Sequence, residues 1–496
     1  MRRSWAVLLT LLMLASSLSG CFGGDDGPAK VGDNPFDFEQ EIPVTTWYHY
    51  ANATNALNSS HMVNGSSILT GNNTPFYSIG TYYGIGMSTF EPTIGSTADG
   101  NVFMSSWGNG PSGSTAVVKC DGLNDMVTTV EYTCENIYDA VPPVPNSNDP
   151  YIYVDPWTGR IMKFDMHALA AMFVEFSDND GDTWSTPYPV EGYYVTQDHQ
   201  SIASMPHSNA MSGEVVYVYC INTGSPAAGP QCSRSLNGGL SWDVQRVGYP
   251  IGTSQCSGLH GHVAGGSDGA IYRGNPSCDG PAVYRSLDGG YTWSEHTITT
   301  EVWMQEGWHS HEVATAVDDA GNVHVTWIGD GRMPWYAYSR DQGETWSSPM
   351  MMAAPGVQET GFPTIFAGAE GRVVVGYIGE INDVETNATN SGWGGYMAIM
   401  TDAFAEWPLI TSVAVNLPDD PLDITSNCGD VRCGGFGDFI DVEIDDEGRP
   451  WIALSHSAAG FEEAVIGTLM EGPALYGDLA YLTPLPAGGS STLKMG

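Results

Sequence analysis

Apolar residues recur along this chain in short runs, not at helical spacing. Asn101-Val102-Phe103-Met104, Arg372-Val373-Val374-Val375 and Arg449-Pro450-Trp451-Ile452 each follow a glycine. Runs rich in β-branched and aromatic residues behind a turn residue predict strands joined by tight hairpins. The turn glycines are Gly100, Gly159, Gly213, Gly269, Gly321, Gly371 and Gly448. They divide the chain into seven units, roughly 90–145, 149–195, 198–250, 257–303, 308–355, 359–425 and 435–485. Repetition at this period means stacked supersecondary units, most often propeller blades. The pattern predicts an all-β, seven-bladed β-propeller, with six blades as the alternative if the first unit is a cap. Residues 76–89 are expected to supply a strand that closes the ring.

A second repeat sharpens this. Ser177-Asp178-Asn179-Asp180-Gly181-Asp182-Thr183-Trp184 returns as Ser235-Leu236-Asn237-Gly238-Gly239-Leu240-Ser241-Trp242. It returns again as Ser286-Leu287-Asp288-Gly289-Gly290-Tyr291-Thr292-Trp293 and as Ser339-Arg340-Asp341-Gln342-Gly343-Glu344-Thr345-Trp346. A degenerate fifth copy at 400–407 keeps Asp402 and Trp407. Glycine at the fifth position permits a positive φ in a tight turn. Asp or Asn, with the Ser and Thr hydroxyls, can bond the turn amides. Tryptophan supplies an apolar body to wedge between blades.

The motif resembles the Asp-box, or BNR repeat, of the sialidase superfamily. The resemblance covers 177–346 well and 90–485 loosely. It implies hairpins between the third and fourth strands of a blade, on the face opposite the usual binding mouth. It also implies a sialidase-like propeller that binds or cleaves an acidic glycan, as a hydrolase or lyase; the alternatives are a metal-binding or redox propeller using a His cluster and a non-catalytic protein-interaction or assembly propeller. The Phe-Arg-Ile-Pro segment that sialidases place before the first box has no counterpart here.

The amino terminus changes the picture of where the chain works. Met1-Arg2-Arg3, an apolar run from Trp5 to Leu14 and Leu18-Ser19-Gly20-Cys21 read as a signal peptide ending in a lipobox. Cys21 is the expected lipidation site. The expected organisation is a signal peptide over 1–20, a lipidated Cys and flexible tether over 21–75, and a single propeller domain over 76–490. The chain is thus expected to be exported and lipid-anchored at the cell surface, touching membrane only through that anchor. Eight cysteines remain, an even number for an oxidising compartment. The repeat pairs them as Cys120–Cys134, Cys220–Cys232, Cys256–Cys278 and Cys428–Cys433. A formal charge of −41 argues against nucleic-acid partners. The expected partner is an extracellular glycan or glycoconjugate, and the expected state a monomer.

Candidate chemistry follows by removing what the repeat explains. Arg160, Arg372 and Arg449 follow turn glycines, and Arg234, Arg285 and Arg340 sit in or beside boxes. Arg246, Arg273, Arg332 and Arg432 are left for mouth-side loops, where they suit an anionic group. Leu259-His260-Gly261-His262 and Trp308-His309-Ser310-His311-Glu312 open the fourth and fifth units, and Asp198-His199 the third. In a strand, His-x-His puts both rings on one face, about 6–7 Å apart. His260, His262, His309, His311 and His199 are the candidate metal ligands, for zinc, copper or manganese. The acid excess also suits calcium. Without metal, His260, His262, His309, His311 and Glu312 are candidate acid–base groups, or line a wet channel. Arg273, Arg332, Arg432, His199 and Asp438 are the candidate substrate-binding residues. His167 and His456 close second strands at the same face, and Glu91, Asp149, Asp198 and Glu359 are further mouth acids.

Overall fold

The computed structural model describes residues 46–50, 80–87, 89, 91–107, 115–123, 132–139, 150–167, 171–190, 197–211, 215–223, 229–253, 261–303, 313–354, 357–380, 393–406, 408–416, 420–422, 440–456, 463–477, 482–483, 485 and 494–495. Their strands form seven antiparallel sheets, one per predicted unit, arranged as a β-propeller. Blade one holds Ile94–Ser96, Val102–Trp107, Thr115–Asp121 and Thr133–Asp139. Blade two holds Tyr151–Val154, Ile161–His167, Ala171–Ser177 and Tyr188–Val190. Blade three holds Gln197–Pro206, Val215–Thr223, Gln231–Ser235 and Arg246–Val247. Blade four holds Val263–Gly265, Ile271–Pro276, Pro281–Ser286 and Ser294–Thr297. Blade five holds Val313–Val317, Val323–Gly329, Met333–Ser339 and Met350–Met351. Blade six holds Glu359–Ala367, Val373–Glu380, Trp393–Met400 and Leu409–Ala414. Blade seven holds Asp441–Ile444, Pro450–His456 and Glu463–Leu469.

Among the described residues, blade seven has three strands of its own, and the expected closing strand completes it. Gly80–Gly84 pairs antiparallel with Glu463–Leu469. An outer strand drawn from the opposite end of the chain removes a sheet edge and locks the ring. Two further additions depart from the sequence reading. Thr46–Tyr50, inside the stretch read as tether, pairs with Leu409–Ala414 as a fifth strand of blade six. Lys494–Met495, beyond the expected domain end, lies parallel to Thr133–Asp139 in blade one. Edge additions leave no periodic signal, because pairing with a distant edge needs no particular spacing.

The core lies between facing blades. One cluster joins Tyr272 of blade four, Trp327 and Trp335 of blade five, and Val375 and Tyr377 of blade six. Each box closes the connection between third and fourth strands, as expected. In all four, the glycine N–H donates to the first serine Oγ: Gly181 to Ser177, Gly239 to Ser235, Gly290 to Ser286 and Gly343 to Ser339, at 2.7–2.9 Å. The Thr or Ser N–H donates to the Asp or Asn side chain, for example Thr292 to Asp288 at 2.9 Å. Trp184 wedges edge-on against Tyr138 of blade one, ring centroids 5.3 Å apart.

The boxes also receive the scarce cations. Lys119 of blade one bonds Asp180 in the next blade's box at 2.5 Å. Arg160 donates to the Gly238 carbonyl, Arg234 to that of Asp288 and Arg285 to that of Gln342, each in the following blade. The basic residues beside boxes are therefore staples between blades. Cys120–Cys134 and Cys220–Cys232 bridge neighbouring strands within blades one and three. Cys278 is disulfide-bonded, and its expected partner Cys256 lies outside the described residues. Cys21, Cys428 and Cys433 also lie outside them. Among the described residues, no helix is long and apolar enough to cross a membrane.

Candidate mouth site

The face opposite the boxes is made by residues that enter first strands and leave second strands. Glu359 opens the first strand of blade six, and Glu380 ends its second; their Cα atoms are register partners. Both are buried, at 4% and 0% exposure. Two carboxylates inside a sheet require compensation. Arg332 supplies it to Glu359 from a 3-10 turn, Asp330–Arg332, which connects the second and third strands of blade five. Its Nη1 donates to Glu359 Oε1 at 3.0 Å, and its carbonyl accepts from Thr360 Oγ1 at 2.8 Å. The turn is pinned in place by Trp335 Nε1, which donates to the Asp330 carbonyl. The Arg332 side chain remains 46% exposed.

Backbone strain marks the same face. Among the described residues, six that are not glycine have positive φ: Glu91, Asp180, His199, Arg332, Gln342 and Phe362. Asp180 and Gln342 hold the box position that Gly238 and Gly289 fill elsewhere. The other four are at the mouth. His199 stands two residues before Ser201, where pairing resumes after a bulge, and Phe362 two before Thr364 at the equivalent bulge. Glu91 stands two before Thr93, whose carbonyl accepts from Ser105. Three blades thus share one strained position at the head of the inner strand, with φ of 51°, 55° and 51°. A left-handed non-glycine residue costs on the order of 1–3 kcal/mol and clusters at functional sites.

Below this ring the channel is crossed. His262 of blade four places Nδ1 3.1 Å from Asp441 Oδ1 of blade seven. Asp441 Oδ2 accepts from Ile94 N in blade one, also at 3.1 Å. Tyr151 of blade two meets the His262 ring edge-on at 5.9 Å. At the rim of blade seven, His456 Nε2 lies 3.2 Å from Asp420 Oδ1, and Tyr82 OH donates to Asp420 Oδ2 at 2.5 Å.

Of the candidate residues, Arg332, His199, Glu91 and Glu359 come to the mouth and His262 to the channel beneath it. Two arginines are corrected. Arg273 is not a loop residue: it lies in Ile271–Pro276, fully buried. Its guanidinium donates to Asn275 Oδ1 and the Gly248 carbonyl at 2.5 and 2.6 Å and covers the Tyr284 ring. Burial lowers its pKa to about 10. Arg246 lies in an outer strand and stacks on Tyr291 of the blade-four box at 4.0 Å. Both follow loop-like sequence, but an arginine can neutralise itself against carbonyls and an aromatic face within a blade interface. His260, His309, His311, Glu312, Arg432, Asp438 and Asp149 lie outside the described residues. Among the described residues, no group of three or more His, Cys, Asp or Glu is placed to hold a metal. Glu380, Asp441 and Asp420 were not singled out from sequence. For Glu380 the signal existed: it ends a second strand, as His167 and His456 do.

Fold and boxes together define a seven-bladed Asp-box β-propeller. The family model described as BNR/Asp-box repeat matches residues 337–348, the fourth box. The sequence matches no curated protein. Among solved structures, a lectin from Burkholderia pseudomallei is similar at 11% identity and TM-score 0.45, over 81% of this chain and 99% of that one. The NanB sialidase from Streptococcus pneumoniae is similar at 10% identity and TM-score 0.42, over 79% and 92%. A protein of unknown function from Dyadobacter fermentans is similar at 12% identity and TM-score 0.40, over 79% and 97%.

Proposed function

We propose that this chain is a cell-surface propeller that binds an acidic glycan at its mouth, held to the membrane by a lipid on Cys21. The observation that carries this reading is Arg332: half-exposed, strained to φ 60° and braced by a buried carboxylate. The other arginines and lysines whose side chains are described staple blades, sit inside them or lie on the box face. A guanidinium fixed by one carboxylate keeps its remaining donors in a planar fork, which suits the carboxylate of a uronic or sialic unit. The excess of acid on the more distant surface does not forbid this. At physiological ionic strength, charges beyond about 8 Å are largely screened.

Glu359, buried behind Arg332, orients the guanidinium toward the anion and does not itself face the ligand. Binding is the primary activity in this reading, and whether cleavage follows is read from the products. An array of uronic and sialylated glycans, followed by product analysis of every glycan retained, tests both. Retention without products leaves a binding propeller; no retention of any acidic glycan ends the reading. Cys21→Ser moving the protein from the membrane fraction to the medium tests the anchor.

A further inference from the structure

On the box face, between blades two and three, lies a groove of about 880 Å³, within the range of small-molecule sites. Its floor and walls include Trp157, Arg160, Phe176, Asp178, Met211 and Leu240. Trp157, Met211 and Leu240 are large apolar side chains at 41%, 77% and 48% exposure. In a chain this polar, three such residues around one cavity are unusual, because solvent-facing apolar groups gain nothing unless something covers them.

The groove is rigid where a ligand would need it. The Trp157 indole N–H donates to the Ser204 carbonyl at 3.2 Å, and its backbone N–H to Asp155 Oδ1 at 3.1 Å. The indole plane is therefore fixed across the blade interface with part of its surface open. Arg160 grips Asp178 with both Nε and Nη2, at 2.6 and 2.8 Å, while its plane lies 4.0 Å over the Phe176 ring. Its third contact is the Gly238 carbonyl of blade three. Arg160 thus has its donors engaged, whereas Asp178, 58% exposed, keeps lone pairs turned to solvent.

We infer that this groove is a second binding site, for a neutral sugar ring. A pyranose has one apolar C–H face and a rim of hydroxyls. The fixed indole matches the first, and the braced Asp178 carboxylate accepts hydrogen bonds from the second. Met211 and Leu240 provide adaptable apolar walls. An anionic sugar is disfavoured, because Arg160 already donates through Nε, Nη1 and Nη2 and the group left to a ligand is a carboxylate. The mouth and the groove therefore differ in ligand charge.

The test is a titration of the whole purified chain with methyl glycosides of glucose, galactose, mannose and fucose and with neutral disaccharides, read by tryptophan fluorescence and calorimetry. At least one should bind, with the signal lost in Trp157→Ala and affinity about tenfold weaker in Asp178→Asn. Leu240→Ser, at an exposed position, should weaken the same ligand and guards against misfolding as the cause. Arg332→Gln should leave it unchanged, which separates this site from the mouth. Absence of binding by every neutral sugar, or binding that survives Trp157→Ala, overturns the inference. So does a groove that takes apolar peptide but no sugar.

Discussion

His262 and Asp441 meet across the central channel, Nδ1 to Oδ1 at 3.1 Å, although they belong to blades four and seven. The same carboxylate accepts from Ile94 N of blade one. Tyr151, beside His262, lies within 3.4 Å of Ser201 Oγ of blade three. Five blades thus converge on one hydrogen-bonded plug. The ring is held at its axis as well as by Gly80–Gly84 at its rim.

Removing one partner of the plug leaves a largely buried polar group exposed to its own desolvation cost. His262→Ala should lower unfolding stability by about 2 kcal/mol. Asp441→Asn should do the same, and the double variant should lose much less than the sum. Chemical denaturation of the four proteins checks this; additive losses would show that the contact carries no coupling.

Asp318 should govern part of the acid sensitivity. Burial alone would raise its carboxyl pKa, but bonds from His324, Asn322 and the Gly371 N–H outweigh burial and hold it at about 2. The unfolded value is near 3.9. Because the folded pKa is the lower one, this stabilisation is present above about pH 4 and is lost as pH falls from there toward 2. Asp318→Asn should be less stable by about 2 kcal/mol near neutrality and should flatten that part of the stability–pH curve. Equal acid dependence in the two proteins would contradict this.

Glu443 should act in the opposite sense. It lies two residues beyond Asp441 on the inner strand. Burial, then repulsion from Asp441, push its carboxyl well above the ordinary range. The folded pKa exceeds the unfolded one, so its contribution is complete below about pH 4 and is lost as pH rises. Glu443→Gln should therefore raise the melting temperature near neutrality and give no gain at low pH. A melting curve at each pH decides it.

Much of this architecture is legible in local sequence because the repeat is local. A box carries its own hydrogen bonds, from Ser286 to Gly290 and from Asp288 to Thr292. The turn glycines mark blades for the same reason, and Cys120–Cys134 and Cys220–Cys232 join register partners. Positions decided by distant contacts are not legible. Thr46–Tyr50 becomes a strand only because the edge of blade six is open to it. Arg273 is interior only because carbonyls and the Tyr284 ring receive it. At the mouth, sequence picks out Arg332, His199 and Glu359 as residues the repeat leaves unexplained. It cannot reveal that Glu91, His199 and Phe362 share one strained backbone position, since no residue type announces a positive φ there.

A loss at the box staples should loosen blades without touching the mouth. Arg285→Ala removes the bond to the Gln342 carbonyl and an exposed pair with Glu344. The expected cost is small, about 1 kcal/mol, because the pair itself is exposed to solvent. Glycan retention by the mouth should be unchanged in that variant, as measured on the same array.

The central claim is that Arg332 receives the anionic group of a glycan. Its most direct test is calorimetric titration of an acidic oligosaccharide identified on the array into the wild-type chain and into Arg332→Gln at physiological ionic strength. Arg332→Gln should bind at least about tenfold more weakly, while the neutral, carboxyl-reduced oligosaccharide should bind both proteins alike. Equal affinity of the two proteins for the acidic ligand would contradict the account.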